Sequence, residues 1–237
     1  MNTGIQDGYN LAWKIAQTGF AHVGGLCGML FALPVVGRGE EARAIAEETL
    51  TAARAHGNPS WVAEALLGNG LAFAKTDPAR ALTVFREALV YTREHRLMDL
   101  EAIIAQNAAG LEAVHGELDQ ALVLFDTAND SFHQAGDVAG AGATFAYLAV
   151  FFDRVERPEI AATLYGTTAR HPSLVNRPGV VDHLRSVLGE TVFDECVAVG
   201  AARALAEAVR YARHQIHLAR REVGNPTGAA GRGRRGR

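Results

Sequence analysis

The sequence predicts an all-α protein, an α-α superhelix of stacked helical hairpins closed by a C-terminal helical cap. Three observations predict it. Four segments repeat in a register of about forty residues, a second apolar stretch at helical spacing lies between successive copies, and aromatics make up only 7% of the chain against 49% hydrophobic residues overall. Small side chains favour close helix-on-helix packing over a sheet sandwich of large interleaved residues.

The copies are GEEARAIAEETL from Gly39, PARALTVFREAL from Pro78, LDQALVLFDTAN from Leu118 and PEIAATLYGTTA from Pro158, spaced 39, 40 and 40 residues apart. Each carries alanine at its fourth position: Ala42, Ala81, Ala121 and Ala161. One helical turn later come Ala46, Phe85, Phe125 and Tyr165, on the same face. A small residue at that place lets two backbones approach. Between the copies, SWVAEALLGNGLAFA, MDLEAIIAQNAAGLEAV and DVAGAGATFAYLAVFF supply a second helix per unit. Asn58, Pro59 and Ser60 mark one helix start, and Asp99 and Asp137 serve similarly at the next two boundaries. One hairpin cannot bury its own apolar face, so neighbours must stack.

Ahead of the first copy, Ile15 to Gly37 contains no Lys, Arg, Asp or Glu. It is long enough to cross a bilayer. Gln17, His22, several glycines and Pro34 argue instead for a buried helix, which would be the first helix of the first unit. The expected organisation is an N-terminal helix over 1–17, repeats over 18–175, a helical cap over 176–223 and a disordered Gly/Arg tail over 224–237.

The formal net charge is -3, but the last six residues hold four arginines, leaving 19 basic against 26 acidic groups, a net of -7, in the body. An acidic body has no electrostatic footprint for specific nucleic-acid binding. Cys27 and Cys196 lie in apolar stretches and require no oxidising compartment. The opening MNTGIQDGYN has neither a basic n-region nor a continuous apolar core, so no signal peptide is expected and a cytoplasmic location follows.

Candidate chemistry is sparse. His214 and His217 sit three apart on a predicted helix with His183 upstream, but Arg210, Arg213, Arg220 and Arg221 make that helix cationic, and a solvated basic face is expected rather than a metal site. His56, His95 and His133 fall in the last turns of the first helices, where imidazole meets the negative dipole end. The carboxylate pairs Glu40/Glu41, Glu47/Glu48 and Asp194/Glu195 are adjacent in sequence and diverge by about 100° on a helix. Neither cysteine has a histidine placed to activate it. No catalytic, cofactor-binding or metal-binding residue is assigned, and no cofactor is expected. Polar residues on the second helices, Asn69, Gln106, Asn107 and Tyr147, either line a groove that holds a peptide or form inter-helix hydrogen bonds.

The hairpins with their small-residue face resemble tetratricopeptide repeats, here stretched beyond about 34 residues. The run EIAATLYGTTARHPSLV and the stretch from VVDHLRSVLGE to AEAVRYARHQI are similar to the end of actinobacterial LuxR-type and cyclase-linked regulators, in which helical repeats follow an ATPase domain. Leu164, Tyr165, Gly166, Leu188, Gly189, Phe193, Gly200, Glu207 and Ala208 carry that resemblance, which covers roughly residues 38 to 222. No P-loop of the form GxxxxGK[ST], cyclase domain or helix-turn-helix accompanies them. Separately, MNTGIQDGYNLAWKIA is similar to a flavin-approaching segment of FAD-dependent aromatic hydroxylases at Asn2, Thr3, Gly4, Asp7, Asn10, Leu11 and Lys14, without the GxGxxG fingerprint.

These readings imply a non-enzymatic interaction or scaffold module, the detached helical-repeat part of a LuxR-type or ATPase-linked transcriptional or signalling regulator. Its partners would be a protein, a peptide or neighbouring domains of such a regulator. Neither nucleic acid nor membrane is expected, and homo-oligomerisation is compatible with the same surfaces. The alternative is a relict fragment of an FAD-dependent monooxygenase.

Overall fold

The alternation of short polar breaks with long alanine-rich segments becomes eleven helices in the computed structural model, which describes residues 19–168 and 178–223; there is no strand among the described residues. In chain order they are α1 (Gly19–Val35), α2 (Gly39–His56), α3 (Pro59–Phe73), α4 (Pro78–His95), α5 (Met98–His115), α6 (Leu118–Ala135), α7 (Val138–Arg154), α8 (Pro158–Thr168), α9 (Pro178–Leu188), α10 (Glu190–Ala201) and α11 (Leu205–Val223). The four repeat segments open α2, α4, α6 and α8, and the intervening apolar stretches form α3, α5 and α7.

Helix ends follow from local chemistry. The Asn58, Asp77 and Asp137 carboxamide and carboxylate oxygens accept backbone N–H bonds from Ser60, Arg80 and Gly140 at 2.9, 3.0 and 2.9 Å, capping α3, α4 and α7. Pro59 and Pro78 occupy the first helical turn, where a missing N–H costs nothing. The first helix of each of three hairpins ends on a left-handed residue: Gly57, Arg96 and Gly136.

The chain divides into two compact units between Ile104 and Ala105, within α5. In the first unit, α1 packs on α2 and α3, α2 on α3, and α3 on α4. Ala42, Ala46 and Ala81 are fully buried there, beside Leu30, Leu33, Leu66 and Phe85. Glycine permits the closest approaches. A methyl on Gly68 would lie 2.6 Å from Leu30 Cβ, and one on Gly70 would overlap the Phe85 ring. On the outside, α2 and α4 are joined by Arg54 to Glu87 at 2.6 Å and by Arg80 to Glu47. Such exposed pairs contribute at most about 1 kcal/mol each.

The charge-free run ahead of the first copy forms α1, described from Gly19, which precedes α2 and packs against both α2 and α3. Its apolar residues Val23, Leu26, Cys27, Leu30 and Leu33 are buried, and no helix among the described residues is long and apolar enough to cross a membrane.

In the second unit, α6 packs on α7, α7 on α8, and α8 on α10, with α9 against α8 and α10. Ala121, Ala161, Phe125 and Leu122 are fully buried. The last helix, α11, turns back to lie along α6 and touches α7 and α8.

Candidate interaction face

The sequence of α6 differs from that of its repeat counterparts at the places where α11 lies. Eight residues after the repeat alanine, α2 has Leu50 and α4 has Leu89, both buried; α6 has Asn129. Asn129 has no exposure, and its Nδ2 donates to the Val209 carbonyl of α11 at 3.3 Å. Its Oδ1 is buried without a donor. Beside it runs an acidic row, Asp119, Asp126 and Asp130, spaced seven and four residues apart and therefore on one helix face.

A row of bases on α11 meets these acids. Arg213 pairs with Asp130, and its Nε lies 3.6 Å from Asp126 Oδ1, within ion-pair range but beyond hydrogen-bond length. His217 Nε2 is 3.3 Å from Asp126 Oδ2, and Arg220 Nε is 3.5 Å from Asp119 Oδ1. The pairing order is antiparallel. Apolar contact comes from Ala208, Val209, Ala212 and Ile216, all buried. The cationic helix expected to face solvent therefore has two edges: Arg210, His214 and Arg221 are exposed, whereas Arg213, His217 and Arg220 are spent on α6. No group of metal-ligating side chains forms among the described residues, and His183 instead pairs with Asp153 at 2.9 Å.

This flank of α6 has a counterpart in the first unit. Five residues after the repeat alanine, Glu47 of α2 pairs with Arg80 of the next first helix, α4. The equivalent residue of α6, Asp126, pairs with α11. A basic helix with its own sequence has taken the flank that the following repeat helix takes elsewhere.

Close by, Tyr165 and Gly166 of α8 meet Phe193 and Gly200 of α10 in one crossing, and Leu164 is buried on the same helix. The Tyr165 and Phe193 rings are 6.3 Å apart, and the Arg185 guanidinium lies 4.6 Å over Phe193. Thr163 beside them is hydrogen-bonded to Cys196 and Tyr211, and burial pushes the pKa of both groups up. An apolar cleft of about 230 Å³ opens between α7, α8 and α11, lined by Phe151, Phe152, Val155, Ile160 and Leu218, with the Arg157–Glu222 ion pair on its polar side.

The four candidate groove residues fall in different settings. Asn69, in the first unit, is 1% exposed between Gly68 and Gly70, with its Oδ1 unmatched by a donor. In the second unit, Gln106 is buried and its Nε2 donates to the Gly140 carbonyl and Thr144 Oγ1 at 2.8 and 2.7 Å. Tyr147 is half-buried over Gly110, where a methyl would lie 2.7 Å from its ring, and Asn107 is half-buried on α5. His56, His95 and His133 stand in the last turns of α2, α4 and α6; His56 packs on Trp61 and His95 on Tyr91. The paired carboxylates Glu40/Glu41, Glu47/Glu48 and Asp194/Glu195 are exposed. Asn2, Thr3, Gly4, Asp7, Asn10, Leu11 and Lys14, and the tail over 224–237, lie outside the described residues.

Sequence reasoning missed Asn129 and the acidic row. The signal was present: a polar residue replaces leucine at one register position in the third copy alone. Fold and face together define a helical-repeat protein of stacked hairpins. The sequence matches no protein-family model and no curated protein.

Proposed function

We propose that this chain is a non-catalytic scaffold that binds protein helices, acting as the helical-repeat part of a LuxR-type or ATPase-linked signalling regulator in the cytoplasm. One observation carries the reading. The flank of α6 receives a helix side-on through an acidic row and a buried asparagine, which is recognition of one helix by a repeat face. The link to the regulators is supported by the way their characteristic residues gather. Tyr165, Gly166, Phe193 and Gly200 are spread over 36 positions yet meet in a single crossing between α8 and α10. The cysteines fit a non-catalytic role, because burial raises both thiols and disfavours the thiolate that nucleophilic chemistry needs.

The test is in-cell crosslinking followed by peptide identification. The expected result is reproducible crosslinks from α6–α11 surfaces to a polypeptide bearing a nucleotide-binding or DNA-reading domain. Turnover of a small molecule by the purified chain, with no crosslinked protein, would overturn the proposal.

A further inference from the structure

The geometry points to the α6 flank as a docking surface for a basic amphipathic helix supplied in trans, with α11 as a resident that such a partner displaces. The inference deepens the scaffold reading and rests on it, since it names the chemistry of what the scaffold would bind.

Charge complementarity sets the class of partner. Asp119, Asp126 and Asp130 present three carboxylates along one face, and α11 answers with Arg213, His217 and Arg220, spaced four and three residues apart. A partner must carry bases at that helical spacing beside a small apolar stripe, as α11 does with its buried Ala208, Val209, Ala212 and Ile216.

The resident helix fits this surface incompletely. Asn129 Oδ1 is buried and has no donor, since the residue of α11 opposite it is Val209, which offers only its carbonyl to Asn129 Nδ2. Asp126 Oδ1 is also buried without a hydrogen bond, its nearest cation standing at 3.6 Å. A buried acceptor left without a donor weakens an interface. A helix with a donor side chain at the Val209 position would satisfy Asn129 on both atoms. The α11 contact also relies on half-exposed ion pairs, which salt screens. Contrast α8 and α10, which cross on glycine with no room for a methyl. Of these two helices on α8, α11 is therefore the one built to leave.

Covalent attachment gives α11 a high effective concentration, so a trans helix competes only when the resident is weakened. The test uses the full chain carrying Arg213→Asp and Arg220→Asp, which leaves α6 intact. The probe is a labelled peptide with the sequence Leu205–Val223, and a second version with Val209→Gln. The double variant should bind the peptide at least about tenfold more tightly than the unaltered chain, and binding should fall about tenfold toward 0.5 M salt. The Val209→Gln peptide should bind about threefold better, and adding Asp130→Arg to the chain should abolish binding. Hydrogen exchange on the unaltered chain should show α11 opening before α8 and α10. Should the double variant not fold, Arg213→Gln with His217→Gln takes its place. Peptide binding indifferent to Asp130→Arg, or α11 amides that exchange only with those of α8 and α10, would overturn the proposal. Neither result touches the crosslinking outcome, so a scaffold that uses another surface would still be recognised.

Discussion

Gly200 of α10 lies against Gly166 of α8 so closely that a methyl on Gly200 would stand 3.0 Å from the Gly166 Cα and overlap the Thr163 carbonyl oxygen. The obstacle is backbone on both sides, which cannot rotate away as a side-chain end can. Gly200→Ala should therefore destabilise the second unit by about 2 kcal/mol or more, as overpacking of a well-filled contact does. Gly24→Ala is the control, because a methyl there meets nothing within 4 Å, and replacing an exposed helical glycine should stabilise by up to about 1 kcal/mol. Urea midpoints of the two variants should move in opposite directions; equal shifts would remove the crossing from the account.

Arg96 takes the place that Gly57 and Gly136 take at the ends of α2 and α6, and it adopts the same left-handed conformation with φ 56°. A side chain at positive φ crowds the following carbonyl, a cost that glycine avoids. Arg96→Gly should raise stability by about 1 kcal/mol despite the added freedom of the unfolded chain. Thermal unfolding measures it, and a lowered midpoint would mean that Arg96 makes a compensating contact.

The repeat register was legible because it rests on covalent spacing and burial, which leave a periodic trace. Ala42, Ala81, Ala121 and Ala161 all have no exposure, as small residues at a backbone contact require. The helix starts at Asn58 and Asp137 were legible for the same local reason. What escaped was which helix lies on which. The α6–α11 pairing joins residues 80 to 101 positions apart, and nothing periodic links Asp119 to Arg220. The neighbours of α1 were hidden for a different reason: a charge-free run shows burial but not what it is buried against, here α2 and α3.

Gln106 separates the two readings given to the polar residues of the second helices. Its amide donates to the Gly140 carbonyl and to Thr144 Oγ1 from a buried position. Gln106→Leu should then cost about 1–2 kcal/mol, the net worth of lost hydrogen bonds that leave acceptors behind. A groove-lining glutamine would behave otherwise, leaving stability unchanged while weakening partner binding. Chemical denaturation alongside the crosslinking yield distinguishes the two.

The two cysteines should differ in reactivity. Cys27 is buried, its Sγ lies 3.8 Å from the Trp61 carbonyl, and burial first, then the nearby Glu64 charge, pushes its pKa up to about 12. Cys196 is only half-buried, although burial raises its pKa as well. At about pH 8, iodoacetamide should label Cys196 slowly and Cys27 only after unfolding, read by mass spectrometry of intact and digested protein. Labelling of Cys27 at the Cys196 rate would show that α1 opens far more readily than its burial implies.

Glu64 on α3 provides a pH test. Burial raises its carboxyl above the ordinary range, so the fold binds its proton more tightly than the unfolded chain does. The stability from that preference is complete below the unfolded pKa and is lost as pH rises through the folded one. At neutral pH the ionised, half-buried carboxylate is a burden that glutamine lacks. Glu64→Gln should thus unfold at higher denaturant than the parent near neutrality, and the gap should close as pH falls below the usual carboxylate range. A gap that stays constant with pH would assign the effect to shape or hydrogen bonding instead.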